Sequence, residues 1–547
     1  MFYHPAFIIL ALSLGLIATR AQNKTFRCIA IFIPIAALTS TYLMPEQIAF
    51  DLFKTEIICD GSFYNKLIGF AFCIVLLAAN LYSIGQNKKL ELILGNFYAA
   101  STLLCLFAGD FLTLFIGLEL MMIFSSSVIF IGEKRFSIRS AKKYFITHLT
   151  SSSLILLGIV HIISKSKSLI LVNVASLMSN PEYSTVVLVM MLVGMLINIA
   201  TFPFSGWMVN YYQNASTSGF IYLISFTTKL SILLILKLFS GLFALKYIGV
   251  VMIIYASIKA LLENSILRLL CYLSIMAIGL MLMGISIGTE AAISSVIYYL
   301  FIHILYKATL SICSASVIDA TEIIDCSDLK KISNNTITIG TIIGIAMMIS
   351  LPGTSALQIK SAISHLFSGD FFYLAPILLS LVTVYSLPWK NCLKKQVIHH
   401  KLVLSNYSQM SITFISFVLI CVGLFGTKLL FLTNDTSIDY AGIFSVESLK
   451  QLIIICLGFY LALKYPINKL YTESINLIEW LGKTFLQLHS WWFRKHPEDT
   501  QTTESWSIQS LEYQISTRLA IIHNQKTAIF IVFIVFLSIL ITLLLLT

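Results

Sequence analysis

Charge is what this chain of 547 residues has least of: Asp, Glu, Lys and Arg together make up 11%, where a soluble domain carries roughly 25%. Hydrophobic residues reach 58% and the mean hydropathy is +0.90. A chain so poor in polar side chains has nothing to cover an aqueous surface with. That excludes a soluble globular protein, a disordered one and a small disulfide scaffold. The ten cysteines are dispersed and contain no CxxC pair, so neither a metal ribbon nor a dithiol redox motif is expected. There is no nucleotide-binding glycine loop either. No cofactor, metal or nucleic-acid partner is expected, nor electron transfer within the chain. Acid is scarcer than base, 25 residues against 36. In a membrane protein that excess belongs in cytoplasmic loops beside anionic lipid.

What is present is a long series of apolar runs. Crossing hydrocarbon takes about 20 residues of helix. Candidate spans fall near 5–19, 28–44, 67–85, 91–108, 111–132, 142–164, 186–203, 217–240, 246–262, 270–287, 290–317, 337–352, 370–388, 411–432, 451–465 and 525–547. The expected fold class is an all-α polytopic membrane protein with about 14–16 transmembrane helices. Met1 to Pro5 carries no lysine or arginine, whereas Arg20, Lys24 and Arg27 follow the first span. This polarity predicts a retained helix with an outside amino terminus. Lys88 and Lys89, then Lys134, Arg135, Arg139, Lys142 and Lys143, then Lys390, Lys394, Lys395 and Lys401 follow alternate spans. The intervening loops lean acidic, with Glu46, Asp51, Glu56 and Asp60, then Asp435, Asp439 and Glu447.

One long polar stretch, 466–524, interrupts the pattern. Ile467 to Phe493 places Leu470, Ile478, Leu481, Phe485, Leu488 and Trp492 near helical spacing, with Trp480, Trp491, Lys483, Arg494 and Lys495 nearby. This predicts a helix in the headgroup plane, then a polar linker at His496 to Ser507. A plain tether to the last span is the simpler alternative.

Four charges sit where they are costly. Glu119 is central in Phe111–Ile131, Lys229 is central in 217–240, Lys307 lies inside 290–317, and Lys360 follows a helix broken at Pro352–Gly353. Each costs about 2.5–3.5 kcal/mol at a helix centre. His303, four residues before Lys307, shares its face. These side chains either fix packing against polar partners or line a proton or ion path. Burial disfavours an ammonium and a neighbouring carboxylate favours it, so a buried lysine can switch state when a nearby charge changes. Histidine and glutamate can do likewise. Helix breaks at Pro203 and at Pro352–Gly353 support the path, because freed backbone groups at membrane depth are tolerated only inside protein or beside water.

Several stretches carry a family resemblance in order. They are Phe107-Ala-Gly-Asp-Phe-Leu-Thr-Leu-Phe115 leading into Leu118-Glu-Leu-Met121; Lys143-Tyr-Phe with His148; Leu192-Val-Gly194 through Phe202-Pro203 and Trp207; Phe226-Thr-Thr-Lys229; Leu262-Glu-Asn264; Leu267 to Ile275; Gly284 to Glu290; His303-Ile-Leu-Tyr-Lys-Ala308; and Leu351-Pro352 followed by Lys360. The ordered set resembles the antiporter-like membrane subunits shared by Mrp-type multisubunit Na+/H+ antiporters and respiratory complex I. Within that superfamily it is most similar to the Mrp D-type subunit. The resemblance implies two inverted five-helix repeats with discontinuous helices and a proton relay through Glu119, Lys229, His303, Lys307 and Lys360. It also implies other membrane subunits as partners, with protons and sodium as cargo. The implied division is N-terminal helices at 1–90, an antiporter-like core at 91–390, C-terminal helices at 391–465, the interfacial helix and linker at 466–524, and a last span at 525–547. The implied setting is the bacterial inner membrane. The implied role is a secondary-transporter subunit, or a translocase subunit if the complex is NADH:quinone oxidoreductase.

Two positions depart from the family. Asn198 stands where the family has a lysine that pairs with the glutamate matching Glu119, and Ser205 stands where it has a histidine. Either Glu119 has another partner or the entry half-channel is weakened. A non-conducting structural subunit is therefore a third reading.

Overall fold

The computed structural model describes residues 4–19, 23–52, 55–322, 324, 332–367, 371–386, 400–401, 404–430 and 446–464. They lie in one compact unit, Met1–Ile467. The expected headgroup helix, polar linker and final span lie outside the described residues.

A backbone in hydrocarbon must satisfy its own polar groups, which makes the helix the default. In chain order the helices are α1 (Pro5–Ile17), α2 (Lys24–Leu43), α3 (Phe63–Gly85), α4 (Lys89–Leu106), α5 (Phe111–Phe130), α6 (Ser137–Ser166), α7 (Val174–Leu177), α8 (Thr185–Asn198), α9 (Gly206–Tyr211), α10 (Thr217–Ser225), α11 (Thr227–Phe239), α12 (Ala244–Leu262), α13 (Ile266–Ile285), α14 (Glu290–Thr321), α15 (Asn335–Met348), α16 (Ser355–His365), α17 (Leu374–Ser386), α18 (Asn406–Leu430) and α19 (Val446–Lys464). Among the described residues, 10 helical segments are long and apolar enough to cross a membrane, and further apolar helices are shorter. The apolar run 217–240 is divided: Phe226, with φ −111° and ψ −69°, separates α10 from α11. The acidic loop after α2 forms a hairpin of β1 (Gln47–Leu52) and β2 (Thr55–Asp60), antiparallel with Gln47 opposite Asp60.

Local sequence sets several helix starts. Asp110 accepts from the Thr113 backbone at 2.7 Å and from the Thr113 hydroxyl at 2.8 Å. The oxygen that takes the hydroxyl also takes Ile58 N–H at 3.0 Å, tying the hairpin to α5. Thr289 caps α14, Ser216 caps α10 and Asn334 caps α15. Asp110→Ala removes a cap worth about 1 kcal/mol and unties the hairpin. Its thermal midpoint in detergent is expected to fall clearly below that of the parent, whereas Asp110→Asn keeps most of it.

Order and length recur along the chain. After α4 and α5 comes a 30-residue α6, then the broken pair α8–α9. After α12 and α13 comes a 32-residue α14, then the broken pair α15–α16. Both breaks use one cap. Ala200 and Ser350 have φ of 58° and 57°. Thr201 N–H returns to Leu196 O at 3.2 Å and Leu351 N–H to Ala346 O at 2.9 Å. This is the Schellman closure, built without glycine at either site, and a proline follows each time.

The loops sort by end. Lys88 pairs with Glu133, and Lys89 donates to Ile17 O and Thr19 O. The basic connections after α1, α3 and α5 therefore gather at one end. The hairpin lies at the other end, where Asp60 N–H meets Phe107 O and Lys237 approaches Asp60 at 3.5 Å. His4 packs against Phe107 at 5.7 Å, so α1 begins at the hairpin end.

Candidate functional site

All five charged or titratable residues singled out in the spans are buried. Glu119 is 5% exposed, Lys229 1%, His303 0%, Lys307 0% and Lys360 3%. None points into lipid.

Lys229 is placed by the break at Phe226. A helix leaves its last carbonyls without partners and concentrates negative potential there. The Lys229 ammonium donates to one of them, Ile224 O, at 2.5 Å, and to Thr228 Oγ1 at 3.2 Å. Tyr98 on α4 supplies the matching cap for α11: its oxygen accepts from Thr227 N–H at 2.8 Å and bonds the Thr227 hydroxyl. Neither Pro nor Gly marks this break, so no breaker residue announced it.

Lys307 projects from α14 onto α13 and donates to Leu270 O at 3.1 Å. The next residue, Cys271, lies within electrostatic reach of both Lys229 and Lys307, and its thiol donates to Met208 O at 3.7 Å. Both lysines act electrostatically on His303, whose Nδ1 is 2.6 Å from the Tyr306 hydroxyl and whose Nε2 has no partner. The structure thus brings Lys229, His303 and Lys307 into one buried group. Among the described residues no carboxylate forms an ion pair with any of them. Cys271 belongs to this group and was invisible in the sequence, where it is one apolar residue among many.

Lys360 is carried by α16. It donates to the Ser380 hydroxyl of α17 and lines a cavity of about 260 Å3 with Ser361, Ser364, Tyr373, Ser380 and Gln451. Gln451 on α19 donates to Ile349 O at 2.5 Å, a carbonyl at the Pro352 break, and reaches Ser380 at 3.4 Å.

Glu119 on α5 faces α6. Ser152 acts on its carboxylate, while its Oε2 has no partner. Among the described residues no hydrogen bond joins it to Asn198. Asn198 instead lies against α6, 2.8 Å from His148 Nδ1 and 2.8 Å from Ser151 Oγ. Gly194 permits this approach, since a Cβ there would stand 2.6 Å from Ser151 O. Ser205 donates to the Tyr255 hydroxyl at 3.0 Å.

Spanning helices around sealed titratable groups define a polytopic membrane protein. A family model described as NADH:quinone oxidoreductase/Mrp antiporter, TM, matches residues 108–386, just over half of the chain, and the chain belongs to that family. It is 25% identical over 345 residues to NADH-quinone oxidoreductase subunit N of Desulforudis audaxviator, covering 58% of this chain and 68% of that one. It is 27% identical over 236 residues to the D-type subunit of the Na(+)/H(+) antiporter of Alkalihalophilus pseudofirmus, covering 41% of this chain and 47% of that one. The fold matches a chain in the structure of the Mrp complex from Dietzia sp. DQ12-45-1b with a TM-score of 0.65 at 14% identity, over 86% of this chain and 99% of that one.

Proposed function

We propose that this chain is the proton-translocating membrane subunit of a multisubunit monovalent cation/proton antiporter, exchanging protons for sodium. Protons enter near Glu119 and Lys229, pass His303 and Lys307, and leave by Lys360. The observation that carries this reading is the group of Lys229, His303 and Lys307, buried together with no carboxylate ion-paired to any of them among the described residues. An uncompensated amine in a dry core is costly, and a packing role is served as well by apolar residues. A charge change at one amine shifts the proton affinity of the next, because Coulomb energy in a low dielectric is large at short range.

The proposed core is 91–390, in two repeats related by inversion. The recurrence of a long helix, a broken helix and one cap geometry supports it. The basic connections sharing one end, with α1 starting at the other, support an outside amino terminus in a bacterial inner membrane. Other membrane subunits are the expected partners. The likeness to subunit N relatives favours a second reading, a proton-pumping subunit of a quinone-reducing complex.

The test is the purified complex in sealed vesicles, with lumen pH followed after a sodium jump. Glu119→Gln should cut sodium-driven proton movement at least tenfold while subunit stoichiometry is unchanged. Movement driven by quinone reduction and indifferent to sodium selects the second reading. Flux unchanged by both Glu119→Gln and Lys307→Ala makes the chain a structural subunit.

A further inference from the structure

We propose that His148 is the proton-carrying group between Glu119 and Lys229, with Asn198 as its positioning residue; this rests on the relay reading above. The spot is a small polar cavity where α5, α6, α8 and α11 meet, about 10 Å3 in volume and lined in part by Ser125, Tyr144, His148, Ser152, Asn198 and Thr227. That volume suits about one water molecule. Two buried polar atoms on or beside its lining residues have no partner, Glu119 Oε2 and His148 Nε2, and the Tyr144 and Tyr212 hydroxyls reach each other and Thr227 without a well-formed hydrogen bond. Buried polar atoms are ordinarily paired, so two unpaired ones beside two loosely held hydroxyls suit a place where hydrogen bonds are remade.

The chemistry of the ring's anchor fits a group that changes protonation. Ser151 has one hydroxyl proton and two acceptors, Gly194 O at 2.7 Å and Asn198 at 2.8 Å. If it donates to Asn198, the carboxamide oxygen also takes the proton of His148 Nδ1, and Nε2 presents a lone pair. If it donates to Gly194, a half-turn of the carboxamide lets its NH2 serve both Ser151 and a bare Nδ1, and Nε2 carries the proton. A carboxamide has both donors and an acceptor, whereas an ammonium only donates. Asn198 therefore holds Nδ1 in either tautomer, and accepts from it when the ring is doubly protonated. Nε2 is left free to take and release a proton. The ring packs against Tyr144 at 4.2 Å and Trp207 at 4.6 Å. Trp207 is itself fixed by its indole N–H on Ile197 O at 2.8 Å. Aromatic faces favour a cation beside them.

The onward path is hydroxylic. Tyr144, Tyr212 and Tyr98 lie within electrostatic reach of one another. Tyr98 then bonds Thr227, two residues before Lys229. Position 198, where a lysine is the family's usual residue, thus lacks a charge of its own, and the titratable group sits one helix away.

The experiment uses the whole complex in vesicles and compares His148→Asn, Asn198→Lys, the H148N/N198K double variant, Glu119→Gln and Lys307→Ala. Expected are a loss of at least tenfold in proton flux for H148N, recovery to within threefold of the parent in the double variant, and a loss for N198K alone, where an ammonium would face the imidazole. Subunit stoichiometry stays that of the parent throughout. H148N within twofold of the parent while E119Q and K307A abolish flux overturns the assignment of His148 and leaves the relay standing. A loss in H148N that the double variant does not recover makes His148 a packing residue and also overturns it. So does an N198K flux above the parent. Full flux in all the single variants overturns this assignment and the relay together.

Discussion

Lys307→Ala is expected to reduce proton flux at least a hundredfold without weakening the protein. The amine it removes is fully buried and, among the described residues, bonded only to the Leu270 carbonyl, with Lys229 within electrostatic reach. Deleting an unpaired buried amine relieves desolvation, which offsets the cavity that the lost methylenes leave. The thermal midpoint of the complex should therefore hold or rise while transport disappears. Opposite signs in the two measurements separate a transport residue from a packing one. Lys307→Arg sharpens the contrast. It restores the charge in a group that does not release its proton, so an electrostatic packing role would be rescued and a relay would not. Flux in Lys307→Arg close to that of the parent would sink the relay at this position.

Gly279→Leu should prevent the complex from accumulating. Gly249 on α12 and Gly279 on α13 face each other. A Cβ on Gly279 would stand 2.6 Å from Gly249 O, and one on Gly249 would stand 2.4 Å from Gly279 O. Both obstacles are helix backbone and cannot rotate away, so the two helices must separate. Overpacking a well-filled core costs about 1–3 kcal/mol even where side chains can adjust, and here they cannot. Moving α13 would also shift Leu270 and Cys271, on which the Lys307 and Lys229 group is built. Gly279→Ala should be milder, with less intact complex on a native gel and a lower thermal midpoint. Parent-like yield from Gly279→Leu would mean that the helices do not meet here.

Much of this molecule is legible in one dimension. Scarce charge and long apolar runs require spanning helices because the bilayer offers no other backbone partners. The same scarcity makes Glu119, Lys229, Lys307 and Lys360 stand out. Proline at 203 and 352 announces two of the breaks, since it lacks a donor and crowds the preceding turn, although Pro34 sits inside α2 without ending it. The third break, at Phe226, had no such signal, and it is the one that hands Lys229 its carbonyl. The hairpin at 47–60 read only as an acidic loop.

The tertiary structure decided the rest, namely which groups meet. Cys271 beside two lysines, Tyr98 capping α11 and His148 against Asn198 join residues 36 to 129 positions apart, where periodicity says nothing. Composition fixes that a helix forms and which side is oily. The angular and axial setting of one helix against another comes from where a glycine lets backbones touch, as at Gly194 and Gly279. That setting, accurate to a fraction of an ångström, determines which polar atoms find partners and which are left free.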